Sequence, residues 1–298
     1  MDFLTLISKK EKINQAALAV PMALGPNDKF TPFKNRLQEE KPDAVIWQAD
    51  AIADDFSKEV IWDQVKQGGA QAVDEGELSA MKKASMKAEL DKAHEEFLGN
   101  WPQIQQQIVL ELAQNAKETV GDRFLILAYS NKEAGGQGEM GPADQAFFLT
   151  SALKVAGDCF DAVFIPNQLD ENLQEKVIEA AKAAQVPFIV STILTDMDRA
   201  DLEEQFQKAI KSGAAFLNIE LSADFLGQFD VADLDELLVT LKEQYREQVK
   251  LVLSMTGLLT KDQLESWLVL PSAFVTLALS EQYQTPMVQS TIKELGWN

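Results

Sequence analysis

The chain has a single cysteine, Cys159, and a single histidine, His94. One cysteine excludes an internal disulfide and any zinc centre built on clustered cysteines. Cys159 lies in VAGDCFDAVFI and reads as a small buried residue rather than a reactive thiol. His94 lies in LDKAHEEFL, a helical pattern, away from every run that resembles a strand. Basic residues are also scarce: 27 against 47 acidic, a net charge of −20. That balance argues against nucleic acid and anionic membranes as partners, since both need basic patches. No apolar run reaches the ~20 residues that a membrane span requires. The opening MDFLTLISKKEK carries its charge after its apolar residues, unlike a secretory signal, so the expected location is cytoplasmic.

What the sequence does have is regular alternation. Eight short runs show the apolar, β-branched character of buried parallel strands. They cover residues 16–22, 43–49, 123–130, 162–167, 187–194, 215–221, 250–256 and 273–279. Helical patterns lie between them: FTPFKNRLQEEK, GPADQAFFLTSALKVAG, DENLQEKVIEAAKAAQ, RADLEEQFQKAIKSG, DVADLDELLVTLKEQYREQ, TKDQLESWLVL and QSTIKELG. Asp170 has the character of an N-cap and Gly213 of a C-terminal stop. Eight strands alternating with helices predict a (β/α)8 barrel in one domain of 298 residues. A doubly wound open sheet is the alternative. It is disfavoured because no GxGxxG follows an early strand.

One connection is out of proportion. Residues 51–122, between the second and third strands, form an enlarged helical insertion with Trp62, Trp101 and the run VDEGELSAMKKASMKAELDKAHEEFLGN. On that run Leu78, Met81, Met86, Leu90 and Phe97 fall near one face at helical spacing. A helical hairpin is expected here, packed on the barrel or on a second subunit. The methionine-rich face is also a candidate partner site.

Several segments, in order, resemble the type I 3-dehydroquinate dehydratases. The stretch ALAVPMALGPNDKF…KPDAVIWQAD is similar to that family's first two strands, the second ending in Glu-Trp-Arg-x-Asp. LILAYSNKEAGGQ is similar to its Thr-Phe-Arg strand and Glu-Gly-Gly turn, and PFIVSTILTD to the strand ending Ser-Tyr-His-Asp or Ser-Asn-His-Asp. AAFLNIELSAD is similar to the strand of the Schiff-base lysine, LSMTGLL to the Ser-Met-Gly turn, and PSAFVTLALSEQYQTPMVQSTIKEL to the last strand and its Ser-Ala-Pro-Gly-Gln loop. The match covers residues 14–50 and 121–298. It implies a (β/α)8 barrel, a lysine that forms an imine with the ketone of 3-dehydroquinate, and a histidine that moves protons on the way to 3-dehydroshikimate. Members are often dimers, so a homodimer is among the expectations.

The reactive groups that the resemblance implies are not here. Asn218 stands at the lysine's position and Ile193 at the histidine's. The Glu and Arg of Glu-Trp-Arg are Ile46 and Gln48, the next arginine is Ser130, and the glutamate before Gly-Gly is Ala134. The arginine after Ser-Met-Gly falls at about Gln263, and the last loop's serine and glutamine near Gln284 and Val288. Trp47, Asp50, Gly135, Gly136, Ser191, Ser254, Met255 and Pro286 are retained. The arginines that would grip a substrate carboxylate are gone.

The expected pocket is therefore lined by Trp47, Gln48, Asp50, Ser130, Lys132, Ala134, Ser191, Ile193, Asn218, Glu220, Gln263 and Gln284, with no metal and no cofactor. Carboxylates at strand ends are Asp50, Glu133, Asp196, Asp198, Glu220 and Asp224; of these, Glu220 shares a strand face with Asn218. Three functions follow: a dehydratase-like protein without Schiff-base chemistry that binds or regulates through a small-molecule ligand; a barrel lyase with changed chemistry using Glu220 and nearby carboxylates; or a working 3-dehydroquinate dehydratase of the shikimate pathway.

Overall fold

A computed structural model describes residues 2–11, 16–22, 37–38, 42–48, 61–63, 65–67, 80–128, 141–166, 169–194, 198–222, 230–245, 247–256, 260–277 and 285–294. Eight parallel strands close into a barrel in sequence order. They are β1 (Ala17–Met22), β2 (Ala44–Gln48), β3 (Phe124–Ala128), β4 (Ala162–Ile165), β5 (Phe188–Ile193), β6 (Phe216–Ser222), β7 (Lys250–Thr256) and β8 (Phe274–Leu277). The (β/α)8 architecture expected from the alternation is the one observed, and each strand lies within two residues of its expected bounds. The ring closes where Ala17, Leu18 and Ala19 pair with Phe274, Val275 and Thr276.

Helices surround the barrel: α1 (Phe3–Glu11), α2 (Ala80–Val120), α3 (Pro142–Ala156), α4 (Glu171–Ala183), α5 (Arg199–Ser212), α6 (Val231–Tyr245), α7 (Lys261–Leu268) and α8 (Thr285–Glu294). Local chemistry sets several of their ends. The Asp170 carboxylate accepts from the Leu173 N–H and starts α4, and Asp198 accepts from Ala200 to start α5. Gly213 ends α5 in the left-handed region at φ 81°, where a Cβ would be strained. The last helix begins four residues before the expected QSTIKELG, with Pro286 in its first turn.

The buried side chains separate into two sets because alternate residues of a strand face opposite ways. Outward residues such as Val45, Leu125, Leu127, Val163, Leu217, Ile219, Leu251 and Leu253 pack under the helices. Inward residues form a second cluster: Ala17, Ala19, Ala44, Ile46, Phe124, Ile126, Ala128, Ala162, Ile189, Phe216 and Val252. Small alanines from β1, β2 and β4 face bulky side chains from β3, β5 and β6. The space they leave at the amino end is filled by α1. Phe3 is 3 % exposed, and its ring lies 5.1 Å from Phe124 and 5.8 Å from Phe216. Lys10 reaches Asp43, just before β2, at 3.3 Å. Helix α1, in the stretch whose sequence was considered only for its targeting character, thus forms the barrel floor.

The insertion is dominated by one continuous helix, α2, of 41 residues, about 60 Å at 1.5 Å per residue. It runs through Pro102 without a break in helical assignment. Val109, Leu112, Ala113, Ala116 and Val120 bury one stripe against the barrel layer. Lys117 bonds to Asp161 at 2.6 Å, and Asp161 also accepts from the Leu125 N–H, tying α2 to the start of β3 and β4. Between Glu89 and Ile108 no side chain of α2 is fully buried. Instead an aromatic row forms. Trp62 stacks on His94 at 4.4 Å and meets Phe97 at 5.3 Å, and Phe97 meets Trp101 at 5.5 Å. Leu90 and Phe97 of the expected apolar face are half-buried; Leu78 and the side chains of Met81 and Met86 lie outside the described residues.

Candidate functional site in the barrel mouth

In a parallel barrel, side chains at the carboxyl ends of the strands line the mouth. The lumen of this barrel changes character along its axis, and β6 shows the change residue by residue. From floor to mouth its inward positions are Phe216, Asn218 and Glu220, which are apolar, amide and acid. On β5 they are Ile189, Ser191 and Ile193, and on β7 they include Val252 and Ser254.

The middle layer is a hydrogen-bonded chain across three strands. Register places Ser191 beside Asn218 and Asn218 beside Val252. The Asn218 Nδ2 donates to Ser191 Oγ at 3.1 Å, and Ser254 Oγ donates to Asn218 Oδ1 at 2.6 Å. The shorter distance is that of O–H···O and the longer that of N–H···O, in keeping with this orientation of the amide. Asn218 is 1 % exposed, so a missing partner would leave a buried polar group unpaired. The chain also has a direction. Ser254 donates, Asn218 passes the dipole on, and Ser191 accepts, which leaves the Ser191 hydroxyl proton to point elsewhere.

One step nearer the mouth, Ile193 pairs in register with Glu220, and the Leu194 N–H donates to the Glu220 carbonyl at 3.0 Å. Ile193 is 56 % exposed, unusual for a β-branched apolar residue of an interior strand. Glu220 is partly buried, and burial pushes its carboxyl above the usual 4.5. Among the described residues no side chain or backbone group is bonded to that carboxylate.

The other expected pocket residues divide into three groups. Trp47 does not face the lumen. It is fully buried in the outer layer and stacks on Phe160 at 5.6 Å, because Ile46 faces the lumen and Trp47, the next residue of β2, faces the other way. Gln263 is engaged at the start of its own helix. Its Oε1 accepts from the Thr260 N–H while Thr260 Oγ1 accepts from the Gln263 N–H, a reciprocal cap on the first turn of α7. Asp50, Ser130, Lys132, Ala134 and Gln284 lie outside the described residues, as does the Gln48 side chain. So do Glu133, Asp196 and Asp224; Asp198 caps α5. Among the described residues no group of three or more His, Cys, Asp or Glu side chains is placed to hold a metal ion. Within the eight strands the one lysine is Lys250, the first residue of β7, at the floor end.

Sequence reasoning missed the Ser191–Asn218–Ser254 chain. Its signal was nonetheless present: each is a polar residue at an inward position of its strand.

The fold and the site define a (β/α)8 barrel with a hydrogen-bonded polar layer between an apolar floor and the mouth. No family model and no curated protein matches the chain in sequence. Solved structures match it in fold. The 3-dehydroquinate dehydratase of Geobacillus kaustophilus is 15 % identical with a TM-score of 0.58, over 94 % of this chain and 92 % of that one. The type I 3-dehydroquinate dehydratase of Clostridium difficile, solved with covalently modified comenic acid, is 10 % identical with a TM-score of 0.60, over 94 % and 92 %. The tryptophan synthase alpha chain of Legionella pneumophila is 14 % identical with a TM-score of 0.54, over 98 % and 97 %. At these identities the likeness shows the shared barrel.

Proposed function

We propose that this chain is a dehydroquinase-like barrel that does not carry out Schiff-base dehydration and instead binds a small molecule at the carboxyl ends of its strands. Asn218 carries the proposal. In the resemblance it occupies the place of the imine-forming lysine, and it is buried and bonded on both sides by serines. An amide nitrogen shares its lone pair with the carbonyl and does not add to a ketone, so no imine forms there. Ile193, at the histidine's place, has no proton to move. Neither β5 nor β6 contains a lysine or histidine, so no slip of register along these strands supplies one. What remains in the mouth can bind: a hydroxyl donor, an apolar surface and an acid.

The test is borohydride trapping with 3-dehydroquinate, read by intact mass. The expected result is an unmodified chain. A reduced covalent adduct would overturn the proposal.

A second reading is supported by Glu220. A carboxyl held partly out of water, with its proton affinity raised, is suited to general acid–base work on a bound molecule. That reading predicts turnover of some ligand that is lost in Glu220→Gln with binding retained.

A further inference from the structure

We propose that the mouth takes an organic cation, an alkylammonium whose nitrogen pairs with Glu220, whose methylenes lie on Ile193 and whose acceptor oxygen receives the Ser191 hydroxyl proton. The inference rests on the reading of this mouth as a binding site and adds the chemical class of its ligand.

Three observations converge on that class. Glu220 is partly withdrawn from water and, among the described residues, unpaired; a carboxylate in that setting is costly until a counter-charge arrives. An ammonium supplies the counter-charge, and the overall charge of −20 draws cations and repels anions. Ile193, beside Glu220 in register, offers exposed apolar surface for an alkyl chain. Ser191 lies one inward layer deeper, about 7 Å along the strand direction. In the serine–asparagine–serine chain Ser191 accepts from Asn218 and keeps its own hydroxyl proton to donate, which suits an acceptor at the buried end of the ligand. The ligand is therefore cationic at the outer end and carries a carbonyl or hydroxyl oxygen at the inner end, with a short apolar spacer between.

The test is calorimetric titration of the full chain with three probes of similar length: 5-aminopentanamide, which is cationic; pentanamide, which is neutral; and glutaric acid monoamide, which is anionic. The cationic probe is expected to bind about tenfold more tightly than either of the others, the scale of one charge-assisted hydrogen bond. Glu220→Gln should abolish that preference. Ser191→Ala should weaken both amides that lack a carboxylate. The inference is overturned if the three probes bind equally, if the anion binds most tightly, if 5-aminopentanamide does not bind, or if Glu220→Gln leaves its affinity unchanged. Preference for the anion would discard the ligand class and keep the binding site. A borohydride-trapped adduct with 3-dehydroquinate would discard the underlying reading whichever probe binds.

Discussion

Replacing Asn218 by alanine removes two hydrogen bonds from the lumen, those to Ser191 and from Ser254. Each is worth about 1 kcal/mol net, and leaving the partner hydroxyls without the amide adds roughly another 1 kcal/mol. The cost is therefore about 2–4 kcal/mol. At about 2 cal/mol/K of unfolding entropy per residue, a chain of 298 residues loses roughly 1.5 °C of Tm per kcal/mol, so the expected fall is about 5 °C. Urea denaturation measures the free energy directly. A double-mutant cycle with Ser254→Ala then isolates the pair. The expected coupling is about 0.5–1.5 kcal/mol, since the 2.6 Å bond exists only when both partners do. A loss below about 0.5 kcal/mol for Asn218→Ala, or additive single mutants, would refute the reading that these two bonds stabilise the fold.

Three further outcomes follow from the same structure. Phe3→Ala should cost about 3–5 kcal/mol in urea denaturation, because its ring fills the floor between Phe124 and Phe216; a loss below about 1 kcal/mol would mean that α1 does not seal the barrel. Gly213→Ala should cost about 1–2 kcal/mol in the same assay through strain at φ 81°, with Cβ itself meeting nothing nearer than Lys182 Cε at 3.9 Å. Glu220→Gln should raise Tm at pH 7: with the folded carboxyl shifted above 4.5, the protonated acid is tolerated while the carboxylate is not, so wild-type stability falls as pH rises through that titration. The advantage of the variant should therefore vanish below about pH 4.5, and an advantage that persists there would point to packing instead of charge.

The barrel was legible in the sequence because its signals are local and repeated. Apolar strands of four to eight residues, Asp170 at a helix start and Gly213 at a helix end each report on a few neighbouring residues, and the structure places them as read. What was not legible depends on which way a residue faces. Parallel strands are apolar on both sides, so Ile46 and Trp47 look alike in sequence although one lines the lumen and the other packs under the helices. Gln263 was placed in the pocket by correspondence, and the spacing Thr260-x-x-Gln263 is also that of a capping box, which the structure forms. The floor was missed because Phe3 meets its partners more than a hundred residues away in the chain, and no periodicity carries that information. The site itself was half legible. Asn218 and Glu220 were found as residues, but the link from Asn218 to Ser191 and Ser254 exists only once register sets three strands side by side.

The central claim is that this barrel keeps a binding mouth and lacks the imine chemistry of the enzymes it resembles. The measurement that bears on it most directly is the conversion of 3-dehydroquinate by the purified full chain, followed by the absorbance of the conjugated product. The account predicts a rate equal to the reaction without protein. A rate that rises in proportion to protein concentration would contradict it.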